Sequence, residues 1–205
     1  MTAKWRWVLI AGVLAMLAGC GTGTFYTRYD SPIPAAVSRG WRLADVAVSV
    51  PESLKVSEAK SLLPQADIVW REDPDGDRHP QVAAIIAAGV TQGAQGLRGS
   101  RPVRIEITVT RFHALTFEAE KRLSNAGVHN IKFIAQVVDA RSGTVLAGPD
   151  EIEAALPALS GKQMKEARAR GETQKSQITA HLRVVIAGWL GLGPDPRGSF
   201  SRAGN

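Results

Sequence analysis

The chain has 205 residues, of which 25 are Lys or Arg and 19 are Asp or Glu, so its formal charge at pH 7 is +6. This excess is small and the two signs are interspersed along the chain, which argues against a nucleic-acid-binding protein. The single cysteine excludes an intramolecular disulfide, so an exported chain of this sequence carries a free thiol that needs an explanation.

The first residues have the pattern of a bacterial secretory signal. Lys4 and Arg6 precede an uncharged stretch at 8–17. As a helix, such a stretch covers only about 18 Å, which is short of the roughly 30 Å hydrocarbon core of a bilayer. The pattern therefore predicts a removable signal peptide at 1–19. An ordinary cleavable signal, or an uncleaved anchor with a bystander thiol, is the alternative.

Leu17-Ala18-Gly19-Cys20 at the end of this stretch resembles the lipobox of bacterial lipoproteins. The resemblance implies that the thiol of Cys20 takes a diacylglyceryl group and that the mature chain begins there. Two or more acyl chains hold a protein firmly at a membrane. Residue 21 is Gly rather than Asp, which by the same resemblance implies the outer membrane, with the protein facing the periplasm.

Composition divides the remaining chain into three parts. Residues 20–40 predict a lipidated, extended tether with two prolines, and the Gly- and Pro-rich residues 192–205 predict a disordered tail. Residues 41–191 have the size of a single domain. Removal of 1–19 leaves 23 basic against 19 acidic residues, a formal charge of +4 that suits attraction to anionic lipid headgroups.

Hydrophobic periodicity predicts strands between these ends. The clearest is 103–109, where apolar and polar residues alternate, and 131–138 is apolar on both faces, as in a central strand. A tight turn at 139–143 has Gly available for a positive φ angle. Further strands are predicted at 43–50, 67–71 and from 144 towards 156.

Two helices are predicted. The first follows Asp77 or His79 as its N-cap, with Pro80 in the first turn. The second begins after Ser160 in a capping-box pattern. Gly171 within it marks either a break in the helix or a position without a side chain that faces a partner. The order of elements predicts an α+β domain with two layers: an antiparallel sheet of about four to five strands, with both helices on one face.

No motif predicts catalysis, a cofactor or a metal. Asp73, Asp75 and Asp77 alternate as in a calcium loop, but the twelfth position is Ala84, which cannot coordinate the ion. There is no Gly-x-Ser-x-Gly motif. An enzyme would need His113, His129 and an acid to converge in a cleft. The histidines lie on four separate segments without zinc-ligand spacing: His79, His113, His129 and His181.

Five further motifs stand out in the chain: Ala66–Arg71, Asp73-Pro74 with Gly76-Asp77-Arg78, Val109–His113, Gly127-Val128-His129 and Gly171–Lys175. Together they resemble an alphaproteobacterial lipoprotein family of unknown function, and this resemblance implies no activity. The order of elements is more distantly similar to lipoproteins that act as auxiliaries of ABC-type transport.

The sequence thus predicts a non-enzymatic lipoprotein whose domain docks on an envelope or transport complex. The alternative is a domain that binds a small ligand or lipid in a pocket between sheet and helices. An apolar cavity would favour the ligand, and a filled core with an exposed apolar patch would favour docking. The candidate partner contacts are bulky or chargeable side chains in turns and at strand ends: Trp70, Arg78, His79, Arg111 and His113.

Overall fold

The computed structural model describes residues 23–202. The predicted signal peptide 1–19 and the lipobox with Cys20 lie outside the described residues. No helix within 23–202 combines the length and the apolar character that crossing a membrane requires.

The described chain forms eight strands and five helices. The strands are β1 (Thr24–Arg28), β2 (Trp41–Ser49), β3 (Ile68–Val69), β4 (Arg101–His113), β5 (Val128–Asp139), β6 (Val145–Ala154), β7 (Leu156–Pro157) and β8 (Gly198–Ser201). The helices are α1 (Ala35–Ser38), α2 (Arg78–Gly93), α3 (Phe117–Arg122), α4 (Gly161–Ala169) and α5 (Gln174–Trp189).

The strands form one mixed sheet in the order β2-β4-β5-β6-β1-β8, with β3 paired to β4 and β7 to β5. Strands β2 and β3 run parallel to β4, and the other pairs are antiparallel. The predicted antiparallel sheet of four to five strands with two helices is therefore wrong. The chain crosses from β2 to β4 through helix α2, and a helical crossover returns the chain in the same direction, so the two strands are parallel.

The core lies between one face of the sheet and the long helices α2 and α5. The alternating apolar residues of β4 are all buried there, as the sequence predicts. Helix α2 begins after Asp77, whose carboxylate accepts the backbone N–H of His79 at 2.9 Å. The indole Nε1 of Trp189 donates to Asp150 Oδ2 at 2.9 Å, which fixes the end of α5 to β6.

Both ends of the described chain belong to the sheet. Strand β1 pairs with β6 and with β8, and Phe25 stacks on Phe200 with ring centroids 5.8 Å apart. The prediction of a tether is therefore wrong for residues 24–28, and that of a disordered tail is wrong for 198–201. Strands of five and four residues are too short for a clear periodic signal, and each is stabilised by a partner that is distant in sequence.

The second predicted helix is two helices, α4 and α5. Gly171, with a φ angle of +83°, lies between them in a conformation that favours glycine. The side chain of Ser160 makes no capping hydrogen bond. The capping box instead opens α5, where Thr173 and Ser176 exchange side chain to backbone hydrogen bonds.

Candidate functional site

Two of the predicted contact residues are buried. Trp70 is fully enclosed, meets Phe112 edge to face at 5.7 Å and donates Nε1 to Asp73 Oδ2 at 2.8 Å. Arg78 is only 2% exposed and donates to Glu58 at 2.8 Å as well as to backbone carbonyls of the preceding loop. Neither side chain can reach a partner in this fold, so both stabilise the loop that leads into α2.

The other three predicted contacts are partly exposed. His79 Nδ1 lies 2.8 Å from Asp77 Oδ1 at the start of α2. His113, at the end of β4, lies with Nε2 3.2 Å from the carbonyl oxygen of Pro64. Burial lowers the pKa of His113, and the nearby charge of Arg111 lowers it further. Arg111 itself lies at an irregularity in the β4–β5 register. The five candidates thus do not form one continuous surface.

The two histidines required by the enzyme hypothesis lie on opposite faces of the sheet. His113 is the register partner of Asn130, so these two side chains lie on the same face of the sheet. Neighbouring residues in a strand point to opposite faces, so His129 lies on the other face, which faces the helices. His129 is fully buried, and burial lowers its pKa to about 3, while the same effect lowers that of His181 to about 4. Among residues 23–202 no three His, Cys, Asp or Glu side chains converge as a metal site.

A charged network that the sequence did not predict joins α3, α4 and α5 to the loop after β3. Arg168 donates to both Glu120 and Glu72 at 2.8 Å, and its hydrogen bonds to Glu120 are the main cause that raises its pKa. Glu72 also accepts the backbone N–H groups of Gln174 at 3.0 Å and Lys175 at 2.7 Å. The loop therefore caps α5 across about a hundred residues of sequence.

The sheet face opposite the helices is polar. Glu106 accepts from Gln136 at 2.7 Å and from Arg104, and these hydrogen bonds lower the pKa of Glu106. Further along the same face, Glu153 binds both Arg28 and Lys132. An antiparallel sheet commonly turns one polar face to water.

Three of the clefts at the surface of the described chain are open to solvent rather than enclosed apolar cavities. The first, of about 580 Å³, lies between α3 and α4 and is mainly basic. The second, of about 320 Å³, is lined largely by Arg28, Glu151 and Glu153. The third, of about 230 Å³, lies beside Arg71 and Phe117. The first cleft is lined by Glu120, Lys121, Gly161, Lys162, Lys165 and Arg168.

Three large apolar side chains are exposed next to the third cleft. Leu63 is 76% exposed, Phe117 54% and Leu62 38%. Their loops are held in place, because Thr116 Oγ1 donates to the carbonyl oxygen of Ser61 at 2.9 Å. This cluster has no signal in the sequence, because an unpatterned loop and the start of a short helix bring its members together.

The chain is similar to one protein family and to several solved structures. The model of a family described as "Family of unknown function (DUF6778)" matches residues 41–205. No curated protein matches the chain. A DUF330 protein from Xanthomonas campestris is 19% identical, with a TM-score of 0.41, over 79% of this chain and 94% of that one. The PelC dodecamer from Paraburkholderia phytofirmans is 13% identical, with a TM-score of 0.38, over 80% of this chain and 96% of that one.

Proposed function

The chain belongs to the DUF6778 family of unknown function, and on that premise we propose that it is a lipid-anchored, non-enzymatic envelope protein whose domain docks on a protein partner through the edge of strand β2. The anchor is Cys20, on the strength of the lipobox resemblance, and the glycine at position 21 favours the outer membrane.

The observation that carries the docking proposal is the outer edge of β2. Among residues 23–202, this strand pairs with β4 on one side, and on the other side only Arg42 has a partner, Arg98. An unpaired strand edge presents backbone N–H and C=O groups to which a strand of another chain can add. The rest of the edge is therefore a template for an extended segment of a partner.

The side chains of β2 protect this edge only at its start. A register irregularity lies between Leu43 and Asp45, and bulges and charges are the usual means of blocking an edge. The following residues 46–50 carry no charge, and Val46 and Val48 are only partly buried. This stretch is the part of the edge that suits an apolar partner strand.

The alternative of a small-ligand or lipid carrier finds no supporting observation in the described residues. It needs an apolar cavity between the sheet and the helices. Buried side chains of β4, α2 and α5 fill that space, and the first two clefts are lined largely by charged residues.

Site-specific photo-crosslinking in cells tests the proposal. A photoreactive phenylalanine analogue replaces Ala47 on β2 or, as the matched control, Thr108 on β4; both positions are exposed, and Thr108 is the register partner of Ser49. We expect a discrete crosslinked protein from position 47 that is absent at position 108.

In a second experiment, Ala47→Lys should reduce co-purification of that protein in detergent, and Thr108→Lys should not.

Two results would contradict the proposal. Equal crosslinking from positions 47 and 108 would exclude the β2 edge as the docking site. Recovery of the lipidated protein alone from both positions would exclude the protein partner itself.

A further inference from the structure

The described chain enters and leaves the sheet at the same end, which we call the Thr24 end. Strand β4 finishes there at His113 and β5 begins at Val128. Strand β1 is antiparallel to β6, and Thr27 pairs with Ala154, the last residue of β6, so β1 also starts at this end. Thr24 pairs in turn with Ser201 of β8.

We propose that the Thr24 end of the sheet rests on the surface of an anionic phospholipid bilayer, with apolar side chains in the headgroup region and basic side chains against the phosphates. The inference rests on the lipid anchor of the proposed function, but it concerns a different surface from the β2 edge. It assigns the orientation of the domain at the membrane.

The length of chain between the anchor and the sheet is the first argument. Cys20 and Thr24 are four residue steps apart, which span at most about 14 Å. Strand β5 extends from this end to the turn at Ser142 over 12 residues, a distance of about 36 Å. The Thr24 end therefore stays close to the headgroups to which Cys20 is tethered.

The exposed apolar side chains are the second argument, because they cluster at this end. Phe117 begins α3, four residues after the end of β4, and Leu62 and Leu63 lie in the loop that Thr116 and His113 hold by contacts with its backbone. A contiguous exposed apolar group of this kind marks a protein or membrane contact. The other exposed large apolar residues each lie on a different element or loop: Tyr26, Val37, Val56, Ile134, Val145 and Val184.

The basic cleft is the third argument. Helix α4 begins at the Thr24 end, because the backbone N–H of Ala158 donates to the carbonyl oxygen of Gly127 at 2.9 Å. Lys121 and Lys165 line the cleft between α3 and α4, and neither has a salt-bridge partner among the described residues. Arg202 adds a third cation here, donating to the carbonyl oxygen of Asn125 at 2.7 Å.

This combination identifies the occupant as lipid. A protein partner would cover the apolar side chains equally well. However, a domain anchored only four residues from this end keeps the end next to the lipid headgroups whether or not a protein binds. Apolar residues flanked by unpaired cations are the usual composition of an interfacial membrane contact. The net charge of the mature chain has the same sign.

A fluorescent label at Leu63 tests the orientation. If Cys20 is acylated, a cysteine introduced by Leu63→Cys is the only free thiol of the mature chain and can carry the polarity-sensitive dye NBD. The matched control is Ser142→Cys in the turn at the opposite end. The purified lipidated full chain is reconstituted into vesicles of phosphatidylcholine and phosphatidylglycerol. We expect blue-shifted NBD emission, quenched by headgroup spin-labelled lipid, at position 63 and aqueous emission at position 142.

A charge reversal tests the basic contribution. In the Leu63→Cys background, Lys121→Glu should weaken quenching at position 63 in the anionic vesicles. The reversal changes the charge by two units, so the equilibrium constant for contact of this end with the membrane should fall about thirtyfold. Arg141→Glu, in the turn at the far end, is the matched control and should have no effect.

The outcomes separate the two proposals. Co-flotation of the protein with the vesicles together with aqueous emission at position 63 overturns the orientation while the anchor stands. Absence of co-flotation overturns the anchor of the proposed function and the orientation with it. Equal quenching at positions 63 and 142 also overturns the orientation.

Discussion

His129 is a buried polar side chain without a hydrogen-bond partner. It is fully enclosed, and neither of its ring nitrogens has a partner among the described residues. Its neighbour His181 is better satisfied: Thr27 Oγ1 donates its single proton to the carbonyl oxygen of Ala155 at 3.1 Å, so His181 Nε2, 3.2 Å away, donates to Thr27 Oγ1. This pattern requires His181 to carry its proton on Nε2. Both rings are neutral in the fold because burial disfavours their charged forms.

The neutral histidines predict a loss of stability in mild acid. In the unfolded chain a histidine binds a proton near pH 6.5, whereas His181 and His129 do so in the fold only near 4 and 3. As the pH falls below 6.5, the unfolded state alone gains protons, so the free energy of unfolding should fall by up to about 1.4 kcal/mol per pH unit for each histidine. Urea unfolding at several pH values across this range measures the slope of the free energy of unfolding against pH. His181→Gln, which keeps a donor for Thr27, should make it shallower, and an unchanged slope would contradict the explanation.

Glu72 is predicted to stabilise the fold through α5. Glu72→Gln removes the charge that faces Arg168 and two backbone N–H groups, and charge-assisted hydrogen bonds contribute about 1.5–3 kcal/mol. We expect a decrease of this size in the free energy of unfolding, measured by urea titration. Glu52→Gln, at an exposed residue, is the matched control. Equal effects of the two variants would show that the network contributes nothing specific.

At the scale of elements, the contact between α2 and α5 depends on glycines. A Cβ atom at Gly89 would lie 2.5 Å from Leu182 Cβ, and one at Gly93 would lie 2.7 Å from both the carbonyl oxygen of Arg183 and Ile186 Cβ. These neighbours are backbone or Cβ atoms, which no side-chain rotation can move away. The two helices therefore approach more closely than larger residues would allow.

Gly93→Ala should destabilise the protein even though alanine favours a helix. Overpacking of a close contact costs about 1–3 kcal/mol, which is more than the gain of about 1 kcal/mol in helix propensity. Thermal unfolding should show a lower midpoint for Gly93→Ala than for the wild type. The control is Gly198→Ala, where an added Cβ would have no neighbour within 4 Å. A midpoint at or above that of the wild type would show that the helices can separate without loss.

The long elements were predictable from sequence, and the short ones were not. Strand β4 and helix α2 are long enough for their hydrophobic periodicity to be recognised in the sequence. The N-cap of α2 is Asp77, one of the two residues predicted for that position. The true cap of α5, Thr173, was missed because the pattern at Ser160 is equally good in sequence alone. The burial of Trp70 and Arg78 was missed because residue type does not reveal which loop folds over a side chain.

At the scale of the whole molecule, the sheet is completed by strands from the two ends of the chain. The direction of β2 relative to β4 and the pairing of β1 with β8 depend on contacts between distant segments, which no local pattern specifies. The sequence therefore predicts the helix-on-sheet layering but neither the mixed sheet nor its number of strands. For the same reason, the sequence does not predict the exposed apolar cluster at the Thr24 end, because segments that are distant in sequence meet there.

Removal of β8 should destabilise the whole domain. A chain that ends at residue 197 loses the pairing partner of β1 and the stacking of Phe25 on Phe200. It also exposes the edge of β1, which favours self-association. We expect a lower urea midpoint and larger species in size-exclusion chromatography. A chain that ends at residue 202 is the control, and identical behaviour of the two truncations would exclude a structural role for β8.

The pairing of Thr24 with Ser201 has a practical consequence for labelling this protein in cells. In the orientation proposed above, a fluorescent protein or epitope fused after Asn205, four residues beyond Ser201, would compete for space with the lipid headgroups. The hairpin at Ser142 and Gly143 is the better insertion point, since Gly143 has open space around it. In the proposed orientation, a cargo placed there would project away from the bilayer and leave strands β1 and β8 undisturbed.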